Sequence, residues 1–246
     1  MEPTLQLKPL AKWSDEERIS SVKRIFRTIT PHYDLLNHIM SGRRDVSWRR
    51  FAVTRIPREV HRVLDAATGT GDLAIDMASN LPDVEVVGLD FVEDMITLAK
   101  RKTVKSLLTE KIDYVGGDAT NLPFSDDEFD AATMAFGLRN IPDRRRALAE
   151  MVRVVKPGGK IIVLEMTFPR NLRLRRFFTW YLNHVIPFLG GVISGDLKAY
   201  RYLPDSIQDF LHPDELFTLF EDVGMNSVKS FPLTFGLTYL HEGFLP

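Results

Sequence analysis

The stretch VLDAATGTGD, residues 63–72, decides the fold of this chain. An apolar run ends at Asp65, a short turn follows in which Gly69 and Gly71 stand two positions apart, and apolar residues then recur at helical spacing over 72–78. Glycine lets the backbone take left-handed angles and approach a ligand closely. A helix N-terminus adds free N–H groups and a partial positive charge. The stretch therefore predicts a strand, a tight turn and the start of a helix beside a ligand.

A second acidic position indicates the class of that ligand. Gly69, Gly71 and Ala74 fit the loose fingerprint of dinucleotide-binding turns. Asp90 directly follows the next apolar run, 84–89, where an acid accepts hydrogen bonds from both hydroxyls of a ribose. These residues indicate a nucleoside cofactor, and they leave open NAD, S-adenosylmethionine and a tight turn that binds no ligand.

Bulk properties exclude several classes of protein. The chain has 246 residues, 44% of them hydrophobic, which fits one large α/β domain with a sizeable core. Its formal net charge of −1 argues against a nucleic-acid partner held by bulk electrostatics. Because there is no cysteine, disulfides, thiolate catalysis and cysteine-bound metals are excluded. The six histidines show no close metal-ligand spacing, so we expect no metal.

No segment has the character of an export signal or a membrane anchor. Residues 1–12 lack the apolar core of a signal peptide. The longest apolar candidate, 185–193, is far shorter than a membrane span and is interrupted by proline and glycine. The sequence therefore predicts a cytoplasmic protein.

From residue 61 onward, strand-like and helix-like patterns alternate. The predicted strands cover 61–66, 84–89, 112–115, 129–135 and 160–166. The predicted helices cover 72–80, 93–109 and 143–154. Such alternation predicts a parallel sheet with right-handed crossovers, whose ligand binds beyond the carboxyl ends of the strands.

Three carboxylates, those of Asp65, Asp90 and Asp118, fall at those strand ends. They would repel an anionic pyrophosphate but not a cationic sulfonium with an amino-acid tail, which favours S-adenosylmethionine over NAD. We expect Asp118 to accept a hydrogen bond from the adenine amino group, and the N–H of Ala119 to reach a ring nitrogen. The alternative for Asp118 is an Asx turn that binds no ligand.

The remaining segments flank this core within one expected domain. Its parts are a helical cap at 14–56, a cofactor-binding core at 61–166, an insertion at 167–212 and a C-terminal part at 213–246. The cap either covers the cofactor site or packs on the sheet. Lys156-Pro157-Gly158-Gly159 predicts a turn before the fifth strand. The C-terminal part predicts a helix at 213–222 and strands at 228–231 and 234–240.

The insertion combines basic with aromatic residues: Arg170, Arg173, Arg175, Arg176, Phe177, Phe178 and Trp180. This composition favours a peripheral contact with a membrane surface through 170–193 or a lid over an apolar substrate. A solvated basic face with its aromatic residues in the core is the alternative.

Several motifs together carry a resemblance to a known family. The order LDxxxGxG at 64–71, GLD at 88–90, GDA at 117–119, LPFxDxxFD at 122–130 and KPGG at 156–159 resembles class I S-adenosylmethionine-dependent methyltransferases. More specific segments resemble the ubiquinone/menaquinone biosynthesis C-methyltransferases, from about residue 22 to the C-terminus. These are YDxxN at 33–37, FGLRN at 136–140, YxYLPxSI at 200–207 and LTxG at 233–236.

The resemblance implies a Rossmann-like α/β fold, a seven-stranded and mostly parallel sheet whose last strand is antiparallel. It implies S-adenosylmethionine as the cofactor and C-methylation of a polyprenylated quinol in menaquinone or ubiquinone biosynthesis. The candidate cofactor-binding residues are Asp65, Gly69, Thr70, Gly71, Asp90, Asp118, Ala119 and Ala135. Two positions depart from the family pattern, since many relatives carry serine in place of Ala135 and histidine in place of Asp45.

The implied chemistry requires a nucleophilic ring carbon, which an ionised or nearly ionised neighbouring hydroxyl provides. With tyrosine as the guide, ionising such a phenol at pH 7 costs about 4 kcal/mol. A guanidinium beside the oxygen lowers that cost, and Arg139 within FGLRN is the first candidate, with Asn140 to hold it in place. The alternative is that Arg139 pairs with a carboxylate structurally. Tyr200, with Tyr202 and His184 as weaker candidates, would serve proton transfer or quinol hydrogen bonding.

Other functions remain open at this stage. They are an O- or N-methyltransferase of a small molecule, a non-catalytic cofactor-binding scaffold of a quinone-pathway assembly and, more distantly, an NAD dehydrogenase. We favour a naphthoquinol over a methoxybenzoquinol without an argument from particular residues. We also expect a protein that is cytoplasmic with peripheral contact with the inner face of the membrane, and a homo-oligomer is compatible with the sequence.

Overall fold

The computed structural model describes residues 13–186 and 197–246, without the side chains of residues 197–201. Most of the apolar run at 185–193 and the side chain of Tyr200 lie outside the described residues. In the described part of the chain, no helix has both the length and the apolar character needed to cross a membrane.

The centre of the molecule is a seven-stranded sheet in the order β3-β2-β1-β4-β5-β7-β6. Its strands are β1 Arg62–Ala66, β2 Glu85–Asp90, β3 Ile112–Gly116, β4 Phe129–Ala135, β5 Val155–Met166, β6 Asn226–Leu233 and β7 Thr238–Phe244. Neighbours from β3 to β5 pair in parallel, whereas β7 is antiparallel to both β5 and β6. The predicted sheet with an antiparallel last strand is therefore confirmed.

Helices cover both faces of the sheet. They are α1 Asp15–Ile29, α2 Tyr33–Ser41, α3 Arg44–Thr54, α4 Asp72–Asn80, α5 Glu93–Lys105, α6 Arg144–Val154, α7 Leu172–Trp180, α8 Leu197–Gln208 and α9 Pro213–Asp222. A short π-helical segment, Tyr181–Val185, continues α7. The predicted bounds of α4 and α9 are confirmed.

Several boundaries predicted from the sequence are wrong. Helix α5 ends at Lys105 rather than at 109, and Leu107 just beyond it has a positive φ of 58°. The segment 156–159 is not a turn before the fifth strand but lies inside β5, and a register shift between Phe129 and Ala131 absorbs the extra residues. The predicted strand at 234–240 begins only at Thr238. A 3₁₀ turn, Thr234–Gly236, precedes it, because the positive φ of Phe235 (59°) is incompatible with a strand.

Two apolar clusters fill the space between sheet and helices. One joins α6 and α9 to the sheet, and the other joins α3 and α4 to it. Trp48, Ala52 and Val53 of α3 belong to the second cluster, whereas Ile19 and Val22 of α1 line a cleft at the carboxyl edge of the sheet. Both interpretations of the N-terminal cap therefore apply: α3 packs on the sheet, and α1 covers the cleft.

Candidate cofactor and catalytic site

The turn between β1 and α4 is left-handed at several positions. Ala67, Gly69 and Gly71 have φ values of 54°, 56° and 79°. A Cβ atom at position 71 would collide with the hydroxyl of Tyr114, so this position requires glycine for space as well as for its angle. The turn places its backbone N–H groups at the start of α4, close to the end of β2.

Asp90, the last residue of β2, fastens that turn. Its carboxylate accepts hydrogen bonds from the N–H of Gly69 (2.8 Å) and the N–H of Val92 (2.9 Å). Burial raises the pKa of Asp90, and the backbone N–H donors oppose that rise. Asp90 also lines the cleft, so its carboxylate is held beside the position where a ribose would bind.

Asp65 lies deeper, at the end of β1, with only 1% of its surface exposed. It accepts hydrogen bonds from the hydroxyls of Thr68 (2.6 Å) and Thr133 (2.8 Å). Burial raises its pKa to about 6, against the effect of these two hydroxyls. Asp65 lines a smaller recess next to the cleft, together with Gly69 and Thr70.

Just beyond β3, Asp118 and Ala119 also line the cleft. The Asp118 carboxylate accepts a hydrogen bond from the N–H of Thr120 (2.8 Å), which is the Asx-type arrangement. Its second oxygen has no partner among the described residues. Ala135, at the end of β4, lines both the cleft and the recess.

The cleft encloses about 1020 Å³ of empty space, including its open mouth. Its lining is largely apolar, with few polar groups, as is usual for a small-molecule site. The apolar lining residues include Ile19, Val22, Phe26, Leu89, Phe91, Val92, Met95, Phe136 and Ile141. An apolar cleft with carboxylates at two strand ends and a glycine turn at a third fits an adenosyl group with a cationic tail.

Thr70 uses its hydroxyl within the protein. It donates to Asp34 of α2 at 2.6 Å, and Lys102 of α5 forms ion pairs with both Asp34 and Asp72. Sequence reasoning did not assign roles to Asp34 and Lys102, although Asp34 belongs to the YDxxN segment on which the resemblance rests. The group ties α2 to the glycine turn.

Arg139 follows β4 in a short 3₁₀ segment and is buried with Glu165 of β5. Its guanidinium donates to the Glu165 carboxylate and to the carbonyl of Phe136, both at 2.6 Å, and its backbone N–H donates to Glu165 at 3.1 Å. Despite burial, the pKa of Arg139 is raised by the negative charge of Glu165. The structure thus contains the carboxylate pair considered as the alternative for Arg139. The sequence analysis did not single out Glu165, because it follows the apolar run of the fifth strand and belongs to none of the recognised motifs.

Asn140 and two tyrosines adjoin this ion pair. The Asn140 side chain accepts a hydrogen bond from the hydroxyl of Tyr202 (3.0 Å) and lines the cleft. Tyr33 lines both the cleft and the recess. Burial raises the pKa values of Tyr33 and Tyr202, and the Arg139 cation opposes both rises. Tyr200 lies on α8, and its side chain is outside the described residues.

One group of potential metal ligands, His38, Asp45 and Asp72, occurs among the described residues. Arg49 already donates to the Asp45 carboxylate at 2.9 Å and pairs with Asp72 at 3.0 Å. His38 contacts Asp45 at 2.8 Å through Nδ1. A guanidinium therefore supplies the positive charge between these two carboxylates.

The model of the ubiE/COQ5 methyltransferase family matches residues 12–245, nearly the whole chain. The chain belongs to this family. Its cofactor is S-adenosylmethionine, and it is a C-methyltransferase.

Curated relatives agree with this assignment. The chain is 43% identical to the demethylmenaquinone methyltransferase of Thermus thermophilus, over 90% of this chain and 100% of the relative. It is 39% identical to the ubiquinone/menaquinone biosynthesis C-methyltransferase UbiE of Geotalea daltonii, over 92% of this chain and 97% of that one. The demethylmenaquinone methyltransferase of Bacteroides fragilis is also 39% identical, over 97% of both chains.

Solved structures with lower identity share the fold. An S-adenosylmethionine-dependent methyltransferase from Thermotoga maritima, described as a possible histamine N-methyltransferase, superposes with a TM-score of 0.64 at 20% identity. The match covers 91% of this chain and 99% of that one. A methyltransferase from Aquifex aeolicus gives a TM-score of 0.55 at 16% identity, over 76% of this chain and 82% of that one.

Proposed function

We propose that this methyltransferase acts on the ring carbon of a polyprenylated quinol, with a naphthoquinol as the preferred ring. The names of the three relatives support this class of substrate. All three names contain menaquinone, and two of them mention no other quinone. The site supports it through the buried guanidinium of Arg139, which does not itself line the largely apolar cleft but lies behind its neighbour Asn140, which does.

The proposed assignment of cofactor contacts follows the strand ends. Asp90 takes the ribose hydroxyls, while Asp118 and the N–H of Ala119 take the adenine. The turn at Gly69, with Thr70 and Gly71, and the recess lined by Asp65 and Ala135 take the amino-acid tail. The bound cofactor supplies an electrophilic methyl group, and the protein contributes its position relative to the ring.

The single observation that carries the proposal is the burial of the Arg139 guanidinium beside Glu165. A quinol hydroxyl costs about 4 kcal/mol to ionise at pH 7 if its pKa matches that of tyrosine. A cation fixed in a dry site favours the oxyanion far more than the same cation would in water. Glu165 orients the guanidinium, and the Arg139 Nε is buried without an acceptor among the described residues. Arg139 itself does not line the cleft, so a bond from this donor to a substrate oxygen requires the lining at Phe136 and Asn140 to shift.

Asn140 and Tyr202 complete the proposed ring-binding side of the site. Asn140 donates to the carbonyl of Phe136 (3.3 Å), the same carbonyl that Arg139 contacts, so the two side chains are held in one arrangement. Tyr200 stays a candidate for hydrogen bonding to the quinol.

The test is methyl transfer from labelled S-adenosylmethionine to two reduced acceptors, demethylmenaquinol and a methoxybenzoquinol, each with a short prenyl tail. Label at the ring carbon of the naphthoquinol is the expected result. Label in both acceptors would mean that the enzyme methylates both ring systems. Label in neither, with cofactor binding confirmed by calorimetry, would overturn the quinol proposal and favour a scaffold or a small-molecule acceptor.

We further infer a cytoplasmic enzyme that works at the inner face of the membrane, because a polyprenylated quinol is dissolved in the lipid. Fractionation of cells, with the protein followed by antibody, tests this location.

A further inference from the structure

Helix α7 presents its apolar side chains to solvent. Leu172, Phe177 and Trp180 are 71%, 56% and 53% exposed, and none of the nine side chains of the helix is buried in the described structure. The helix follows β5 directly, so it lies at the carboxyl edge of the sheet, the edge that also holds the cleft, although no residue of α7 lines the cleft. A surface helix of a globular protein normally covers its apolar stripe.

Two further elements expose apolar residues at the same edge. Phe235, 81% exposed, lies at the tip of the turn between β6 and β7, and the bond from Thr167 N–H to the Leu237 carbonyl fixes this turn beside the end of β5. Leu35 and Ile39 of α2 are 52% and 38% exposed.

Helix α2 is connected to the segment that continues α7. The hydroxyl of Tyr181 donates to the carbonyl of Met40 at 3.2 Å, and Leu36 packs with Leu182 and Ile186. We call the exposed residues of these elements, Leu35, Ile39, Leu172, Phe177, Trp180 and Phe235, the apolar rim.

Cations accompany the apolar rim. Arg173 and Arg176 of α7 are exposed and form no ion pair with the described residues. Arg175 instead stacks over Phe168, and Arg170 pairs with Asp214. Two unpaired guanidinium groups beside exposed aromatic rings match the chemistry of an anionic lipid surface, where rings enter the interface and cations meet headgroups.

We propose that the apolar rim docks this enzyme on an anionic lipid bilayer, with the carboxyl edge of the sheet facing the membrane. The charges favour a bilayer over a second copy of the chain. A two-fold contact through α7 would bring the same exposed arginines of both copies together without an acidic partner on that helix. The proposal rests on the proposed function only for its purpose, which is access to a quinol dissolved in lipid.

The test is flotation of the full chain with vesicles, without any quinol. One set contains phosphatidylcholine and phosphatidylglycerol in a three-to-one ratio, and the other contains phosphatidylcholine alone. We expect the wild type to float with the anionic vesicles. The double variant Phe177→Ser/Trp180→Ser and the separate variant Phe235→Asn lower the floating fraction by about fivefold or more, since each removes apolar groups from the interface. Arg173→Glu/Arg176→Glu lowers it on anionic vesicles only.

Leu107→Ser is the matched control. Leu107 is 91% exposed, but it follows α5 at the opposite edge of the sheet, so its replacement leaves flotation unchanged. Calorimetric binding of S-adenosylmethionine shows that each variant is folded.

Three results would overturn the proposal: a wild type that stays unbound, equal losses for Leu107→Ser and the rim variants, or rim variants that change the sedimentation mass while flotation is unchanged. The third would assign the rim to a contact between copies. Because no quinol is present, failure here leaves the proposed methylation intact.

Discussion

Arg139 and Glu165 form a buried ion pair in which each side chain neutralises the charge of the other. We predict that Arg139→Lys lowers kcat about 100-fold, near 3 kcal/mol, because an ammonium cannot replace the planar fork that binds Phe136, Glu165 and a substrate oxygen. Cofactor affinity, measured by calorimetry, changes little. Arg145→Lys is the control, since Arg145 is an exposed member of a surface pair. A variant that turns over as fast as the wild type would remove Arg139 from catalysis.

Glu165→Gln tests the same pair through stability. The variant leaves the Arg139 cation buried without its counter-charge, so we expect a loss of about 3 kcal/mol in the free energy of unfolding. Urea denaturation of the wild type and the variant measures the loss. Asp222→Asn breaks the exposed pair with Arg145 and should cost less than about 1 kcal/mol. Equal losses in the two variants would contradict the importance of burial.

The positions of acids at strand ends were predictable from the sequence, but their hydrogen-bond partners were not. Asp90 and Asp118 stand where the strand pattern placed them. The partner of Arg139 is 26 residues away along the chain, and that of Thr70 is 36 residues away. No local periodicity connects such residues, because the tertiary fold alone brings them together.

At the scale of elements, the bond between Asp34 and Thr70 and the ion pair between Asp34 and Lys102 fasten α2 to the glycine turn. We predict that Asp34→Asn loosens this attachment, because an amide loses the ion pair with Lys102. Limited trypsin digestion should then cut faster at the basic residues of α1 and at Arg43, just after α2. The dissociation constant for the cofactor should rise about tenfold.

Asp113→Asn is the control for that experiment, because Asp113 is an exposed acid on β3. Unchanged digestion of Asp34→Asn would mean that packing alone holds α2.

Element boundaries followed the sequence where the local signal was strong. The helical period predicts the bounds of α4 and α9 correctly, whereas the proline and glycines of 156–159 led to the wrong prediction of a turn. Those residues signal a turn, but a register shift lets them continue β5, and the pairing partner that permits it lies on β4. The positive φ of Phe235 was not predictable either, since no glycine or asparagine marks that position.

For the whole molecule, alternating strands and helices predict the parallel part of the sheet. They do not predict that β7 inserts between β5 and β6, because the alternation ends after β5. The resemblance implies an antiparallel last strand but not its place between β5 and β6. Strands β5 and β7 pair over seven residues, from Lys160↔Phe244 to Met166↔Thr238. Most of these residues are buried, and burial fixes the register because a slip by one residue would exchange the faces of every side chain.

His241 lies within that pairing and links global stability to pH. It is 1% exposed, and its Nε2 contacts the carbonyl of Pro213 at 2.9 Å. Burial lowers its pKa to about 4, while that carbonyl and Asp214 oppose the change. Below pH 6.5 the unfolded chain takes up a proton that the folded chain refuses until about pH 4, so stability is lost as the pH falls through this range.

Asp65 acts in the opposite direction. Its folded pKa of about 6 lies above the ordinary value of 3.8, so the folded state takes up its proton first and gains stability as the pH falls from 6 to 3.8. The wild-type curve alone therefore hides both effects. The stability difference between the wild type and a variant without the His241 imidazole isolates one of them.

We therefore predict that the stability of the wild type relative to His241→Gln falls by about 3 kcal/mol between pH 7 and pH 4. Glutamine does not titrate, whereas burial lowers the imidazole pKa from 6.5 to about 4. Urea denaturation of both proteins at several pH values gives this difference. His32→Gln, at an exposed position, is the matched control for removal of an imidazole. A constant difference for His241→Gln would mean that the imidazole accepts a proton without opening β7 and α9, and burial would then not explain the acid sensitivity of the fold.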